Sequence, residues 1–163
     1  ILAGQGINWA NGKLTAKLRK YSLTSKVALL GPLDSLDRVT GLIDLHVLPS
    51  AFGEAFPNVV AETMLGGVPN IVTDIGDSAQ VVGDTGWIVE PNNSLALREA
   101  LTEATRPNTN WAILGSAARE RILNNFPLTK MVKAYSDYYQ GLLSGISDRP
   151  TTSFTTRENR SRR

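Results

Sequence analysis

Short apolar runs bounded by glycine and proline alternate, through the first ninety residues, with segments whose apolar positions recur every three or four residues. Ile1-Leu2-Ala3 reads as a strand entering Gly4-Gln5-Gly6, where a sharp strand-to-helix turn is expected, and Leu14, Leu18 and Tyr21 follow at helical spacing. Val27 to Leu30 predicts a second strand, stopped by Gly31-Pro32, and Leu36, Val39 and Ile43 a short helix starting near Ser35. Leu45 to Leu48 predicts a third strand, broken at Pro49. Beyond a loop through Phe52 and Gly53, a helix is expected from about Asn58 to Leu65, stopped by Gly66-Gly67. Asn70 to Thr73 and Trp87 to Val89 read as the fourth and fifth strands. Short apolar strands separated by helices predict an α/β fold, a parallel sheet with helices on both faces.

The remainder reads as helical. Ser94 is expected to cap a helix containing Leu95, Leu97, Leu101 and Ala104, and Trp111, Leu114, Ala118 and Ile122 form a second stripe ending near Asn124-Asn125. Met131, Tyr135, Tyr138, Tyr139 and Leu142 line a third, and a Met and aromatic stripe at this spacing reads as core rather than as a cofactor contact. Beyond Gly145 the chain is rich in Ser, Thr and Arg with one Phe, too little apolar surface to offset the entropy of ordering. The expected organisation is therefore one domain over 1–144 and a disordered basic tail over 145–163.

Composition narrows the chemistry. The 163 residues suit one domain with a real core. The absence of cysteine excludes disulfides, Cys-ligated zinc and thiol catalysis, and a single histidine, His46, excludes His-pair metal sites. No apolar run approaches the length of a membrane span. The net charge of +2 hides an asymmetry. Five arginines against Asp148 and Glu158 place +3 in residues 144–163, which leaves −1 for residues 1–143. Nucleic acid requires a basic face to neutralise phosphates, and the body has no such excess, so no nucleic-acid partner is expected. The chain opens at Ile1 inside an apolar run, with no Met before Met64, so it is expected to be a piece of a longer polypeptide or one matured by cleavage.

The chemistry concentrates in Ser50-Ala51-Phe52-Gly53-Glu54-Ala55-Phe56-Pro57-Asn58-Val59-Val60-Ala61-Glu62, between the third strand and the helix after it. In open parallel sheets, ligands bind where strand C-termini meet helix N-termini. Pro57 suits a first helical turn, and the N–H groups of Asn58, Val59 and Val60 would then form an anion site fitted to a phosphate or diphosphate. Glu54 and Glu62 flank it. They either complement the helix dipole or accept hydrogen bonds from ligand hydroxyls, and the residues alone leave both readings open. Elsewhere the signals are weaker. His46 reads as a satisfied histidine within the sheet, Ser50 and Ser78 have no general base at motif spacing, and Asp34-Ser35-Leu36-Asp37 reads as a turn and helix cap rather than a metal site. Gly4-Gln5-Gly6 lacks the third glycine of a dinucleotide fingerprint.

These residues resemble a known family. Glu54, seven residues and Glu62 match the E-x7-E motif of retaining GT-B glycosyltransferases of family 4 (group 1), and Asp44 to Ser50 is similar to the segment before that motif. Glu54 to Asn58 resembles its E-G-F-P-N, Thr73 to Asp77 its T-D-x-G-G loop, and Thr85 to Pro91 its T-G-x-x-V-x-P turn, in order across residues 1–143. The resemblance implies the C-terminal, Rossmann-like half of a GT-B fold that holds a nucleotide-diphosphate sugar. It implies that Glu62 binds the ribose hydroxyls, Glu54 contacts the donor sugar near the reacting carbon, and the backbone around Phe56, Pro57, Asn58 and Val59 holds the diphosphate or sugar. Leu33 would meet the base through its backbone, and Gly76 belongs to the T-D-x-G-G loop beside the donor. Anomeric configuration would be retained, with no metal and no cofactor beyond the donor. Departures are Ala55 for Gly, Asp77 for the second Gly of the loop, and Gln80 where Glu is common. The Arg and Lys that usually neutralise the diphosphate would lie upstream of Ile1.

The resemblance further implies an acceptor glycan or lipid-linked sugar held by an N-terminal domain outside this chain, and a cytoplasmic protein, with peripheral contact at the inner face of a membrane a further expectation. Two alternatives stand beside this reading. One is a nucleotide-sugar-binding module that serves a separate acceptor-binding chain. The other is a related GT-B enzyme, a sugar-nucleotide epimerase or a phosphorylase, although no motif for a phosphorylase cofactor lysine is present.

Overall fold

The structure, a computed structural model, describes residues 1–143. The chain divides into two compact units, Ile1–Ile122 and a second beginning at Leu123. The expectations for the tail lie outside the described residues.

The first unit opens with a single parallel bridge, Leu2 to Leu29. It is flanked by hydrogen bonds from Leu2 N–H to Ala28 O (2.8 Å) and from Leu30 N–H to Leu2 O (3.0 Å). The two strands expected here are thus paired, but over a shorter length than their apolar runs predict. Gly4 (φ +136°) and Gly31 (φ +69°) turn both segments out of extended conformation directly after the bridge. The expected turn follows through Gly6 (φ +72°), whose carbonyl accepts from the Asn11 side chain (2.9 Å). Asn11 also caps α1 (Gly12–Lys20) by accepting from Leu14 N–H. The helix expected near Ser35 is one turn, α2 (Asp37–Thr40), with Leu36 as its N-cap and no side-chain cap bond.

The sheet proper is β1 (His46–Leu48), β2 (Asn70–Thr73) and β3 (Trp87–Val89), parallel and in that order. Val47, Ile71 and Trp87 align across it, as do Leu48, Val72 and Ile88. The crossover from β1 to β2 is α3 (Asn58–Leu65), and from β2 to β3 it is α4 (Ser78–Val82). Alternation along the strands sends Leu45, Val47, Ile71, Trp87 and Val89 to one face. There they pack against Ala96, Leu97, Ala100 and Ala104 of α5 (Ser94–Ala104) and against Trp111. His46 and Asn70 lie on the other face, where α3 packs, so helices cover both faces as the sequence predicts. The cap of α5 is Asn93, whose Oδ1 accepts from Ala96 N–H (2.9 Å), rather than Ser94. Asn92 before it holds φ +59°, and this turn sets the cap one residue earlier than the apolar pattern implies.

The face under α3 carries a polar node. His46 Nδ1–H donates to Asn70 Oδ1 (2.5 Å), and Asn70 Nδ2 donates to Val68 O (2.9 Å). Thr63 Oγ1 lies 2.9 Å from Val59 O and 3.1 Å from the same Asn70 oxygen. His46 is thus a satisfied histidine that ties β1 to β2. Burial pushes its pKa below the ordinary 6.5, and the Asn70 bond offsets part of that shift.

The far end of α3 is sealed by α6 (Trp111–Asn125). Gly115 sits against the Gly67 carbonyl so closely that a Cβ would lie 2.1 Å from its oxygen, and the Arg119 guanidinium donates to Leu65 O. In the second unit, α7 (Leu128–Leu143) has no buried residue, and Tyr135 is 59% and Leu142 60% exposed. The stripe expected as core is therefore exposed among the described residues. Among its described residues that unit holds one full helix.

Gly115→Ala should overpack the α3–α6 contact and lower stability by about 1–3 kcal/mol in urea unfolding; no change would mean that the backbones separate at no cost. For His46, lowering the folded pKa makes the unfolded chain the better proton acceptor, so stability falls as pH drops through about 6.5. His46→Gln keeps a donor for Asn70 without titrating. Its melting temperature should fall less than that of the parent between about pH 7.5 and about pH 5.5, and an equal fall would remove His46 as the cause.

Candidate functional site

The carboxyl ends of β1 and β2 deliver two loops to one place. The first, residues 49–57, runs into α3; the second, residues 74–77, runs into α4. Three ties hold them together. Thr73 Oγ1–H donates to Ser50 O (2.6 Å), and Asp77 N–H donates to Ala55 O (2.9 Å). Gly76, at φ +56°, presses on the first loop so that a Cβ would lie 2.3 Å from Glu54 O and 2.8 Å from Ala55 O. Only glycine combines that backbone conformation with that approach.

The first loop presents Glu54, which is half-buried and accepts from Ser50 Oγ–H at 2.6 Å. Gly53 (φ +82°) folds the chain back so that these two side chains meet. The next residues reach the N-terminus of α3, with Pro57 as N-cap. Proline has no side-chain acceptor, no side chain caps this end, and no acidic residue lies in the first turn. Val60 N–H bonds to Pro57 O (3.0 Å), so of the three N–H groups expected to face an anion, Val60 turns inward. Asn58 and Val59 keep N–H groups with no acceptor among the described residues. Asn58 is exposed and Val59 half-buried. An uncapped helix end of this kind attracts negative charge.

Glu62 lies one turn into α3 and is exposed. Its buried neighbours Val60, Thr63 and Met64 anchor the helix on the sheet. Hence Glu54, Phe56, Pro57, Asn58, Val59 and Gly76 gather around one helix end, with Glu62 on the same short helix. Leu33, half-buried, belongs to the separate loop after Gly31, and no backbone hydrogen bond joins it to the others. Among the described residues, two hollows lie elsewhere, one along α7 and one lined by Ile1, Leu42, Leu45 and Trp111.

Sequence reasoning missed two contributors. The sequence assigns Ser50 no role at the site beyond its place in the motif segment, and its contact with Glu54 depends on the turn at Gly53. The helix α4 spans five residues, too few for a periodic signal, and is completed by a distant residue: Arg121 donates to Val81 O (2.8 Å) and Gln80 O (2.7 Å) at its C-terminus. Asp77, its N-cap, makes no side-chain cap bond and is half-buried beside the first loop. Ser78 Oγ is buried without a hydrogen-bond partner. Among the described residues, no three His, Asp or Glu side chains gather as a metal site, and no helix is long and apolar enough to cross a membrane.

Known proteins share this fold. The chain is 26% identical over 145 residues to the N-acetyl-alpha-D-glucosaminyl L-malate synthase of Bacillus anthracis, spanning 88% of this chain and 37% of that protein. Its fold matches sucrose-phosphate synthase from Thermosynechococcus elongatus with a TM-score of 0.72 and 25% identity, over 83% of this chain and 35% of that one. It also matches Anabaena HepE, solved in complex with UDP-glucose, with a TM-score of 0.73 and 19% identity, over 86% of this chain and 40% of that one. The chain thus spans well under half the length of each, and its parallel sheet is that of the Rossmann-like half of a GT-B fold. The family described as Glycosyl transferases group 1 matches residues 1–106, and this chain belongs to it.

Proposed function

We propose that this chain is the donor-binding half of a retaining glycosyltransferase and holds a nucleotide-diphosphate sugar at the N-terminus of α3. The observation that carries the reading is the uncapped end of α3, with donors at Asn58 and Val59 and a carboxylate on either side in sequence. A diphosphate supplies the negative charge that the helix end lacks. Glu62, exposed on the helix, accepts from the ribose hydroxyls, and Glu54, with one carboxylate oxygen engaged by Ser50, accepts from sugar hydroxyls with the other. Gly76 keeps the second loop against Glu54, and Leu33 offers its backbone to the base. HepE, which shares the fold, binds UDP and UDP-glucose, and this sets the first probes to use.

In the transfer step the sugar leaves the diphosphate as charge builds on the leaving oxygen. The α3 dipole and the two N–H groups stabilise that charge without moving. None of the site residues carries a basic side chain, so the stabilisation is completed by cationic groups outside this set. The acceptor, a glycan or lipid-linked sugar, is held by an acceptor-binding domain outside this chain. Transfer without metal or cofactor, a cytoplasmic location and peripheral contact with a membrane surface complete the proposal.

Calorimetry on the 163-residue chain with UDP, GDP and ADP tests the reading. Glu62→Ala should weaken the preferred nucleotide by about 10- to 100-fold, the worth of charge-assisted hydrogen bonds to two hydroxyls. Unchanged affinity would remove Glu62 from the ribose site, and no binding of any of the three would overturn the donor-site reading.

A further inference from the structure

Among the described residues, the one side chain hydrogen-bonded to the Glu54 carboxylate is Ser50, a residue that the motif roles leave unused. Its hydroxyl lies 2.6 Å from Glu54 Oε1, the length of a charge-assisted O–H···O⁻ bond. Ser50 is itself held. Its carbonyl accepts from Thr73 Oγ1 at 2.6 Å, and Thr73 is buried at the end of the central strand, where it pairs with Val89. The carboxylate is thus connected to the sheet through two side chains, Glu54 to Ser50 to Thr73. From the other side, Gly76 and Asp77 N–H fix the backbone of residues 54–55.

A glutamate on a loop has three side-chain torsions to order, and fixing them at the moment of binding costs affinity. With Oε1 engaged by Ser50, the carboxylate plane is set before any ligand arrives. Oε2 has no hydrogen bond among the described residues and stays open as an acceptor. Glu54 is half-buried, so the bond adds little to stability by itself; its consequence is orientation.

We propose that Ser50 is a positioning residue that preorganises Glu54 to accept hydrogen bonds from the sugar of the donor, with Thr73 fixing Ser50 in turn. This rests on the donor-site reading above. It separates two contributions to binding: the nucleotide is held by α3 and Glu62 without Ser50, and the sugar-dependent gain passes through Ser50 and Glu54.

The test measures that gain directly, as the ratio of the dissociation constants of a nucleoside diphosphate and its glucose conjugate. The 163-residue chain is titrated with UDP and UDP-glucose, GDP and GDP-glucose, and ADP and ADP-glucose, and the pair with the largest gain is carried forward. Ser50→Ala should reduce the gain by about fivefold or more while the nucleotide alone stays within about twofold. Ser50→Thr, which keeps the hydroxyl, should restore it. In a Glu54→Ala background, Ser50→Ala should have no further effect, because the acceptor it orients is gone; a general loosening of the loop would add to the loss instead. A full gain in Ser50→Ala, or an additive double variant, overturns the proposal. If the parent binds nucleotide with no sugar-dependent gain, the Ser50–Glu54 role falls and the nucleotide site stands. If the parent binds none of the six, the donor-site reading falls as well.

Discussion

A buried parallel strand must satisfy every polar atom it carries, and the four residues of β2 meet that constraint in a way that organises their surroundings. Ile71 and Val72 in its middle are fully buried and apolar; Asn70 and Thr73 at its ends are buried and polar. Asn70 faces His46 of β1 and Thr63 of α3, and its own carbonyl is approached so closely by Gly86 that a Cβ there would lie 2.3 Å away. Thr73 reaches the carbonyl of Ser50 in the next loop. Entry and exit of one strand thereby fix the helix whose end forms the site and the loop that carries its nearest carboxylate. An unpaired buried Asn or Thr would cost about 1–3 kcal/mol, so these contacts come with the fold.

The site joins two opposing electrostatic choices. The α3 N-terminus lacks the side-chain cap and first-turn acid that helix starts commonly carry, so its positive end is unanswered within the chain. Three carboxylates accompany it, Glu54 and Asp77 in the two loops and Glu62 one turn into α3. A bare anion gains from the helix and loses to the carboxylates. A ligand that carries both a negative group and several hydroxyls would meet both, which is the physical basis of the donor-site proposal.

Local signals made much of the fold legible. The bounds of α3, β2 and β3 follow from apolar runs punctuated by Gly66-Gly67, by Pro69 and by the turn at Gly86, and these act within a few residues of where they stand. The ordered series of short motifs was equally local. The helix start after Pro57 was legible for the same reason, its residues being contiguous. What escaped were contacts made at a distance. Helix α4 is closed by Arg121, some forty residues on; the first two strands shrink to one bridge because two glycines turn away at once; and Val60 N–H turns inward because Pro57 O is in reach.

The sequence by itself determined the order and type of the elements, the α/β class, the position of the anion-attracting helix end and the family, because periodicity, glycine stops and short motifs act along the chain. The tertiary structure alone decided that Ser50 holds Glu54, that Gly76 must be glycine because it presses on the Glu54 carbonyl, and that the α7 stripe stands exposed in its own unit. Those outcomes depend on which backbones come within three ångströms of each other. Such distances are set by the packing of helices on both faces of a three-stranded sheet, and no spacing along the chain encodes them.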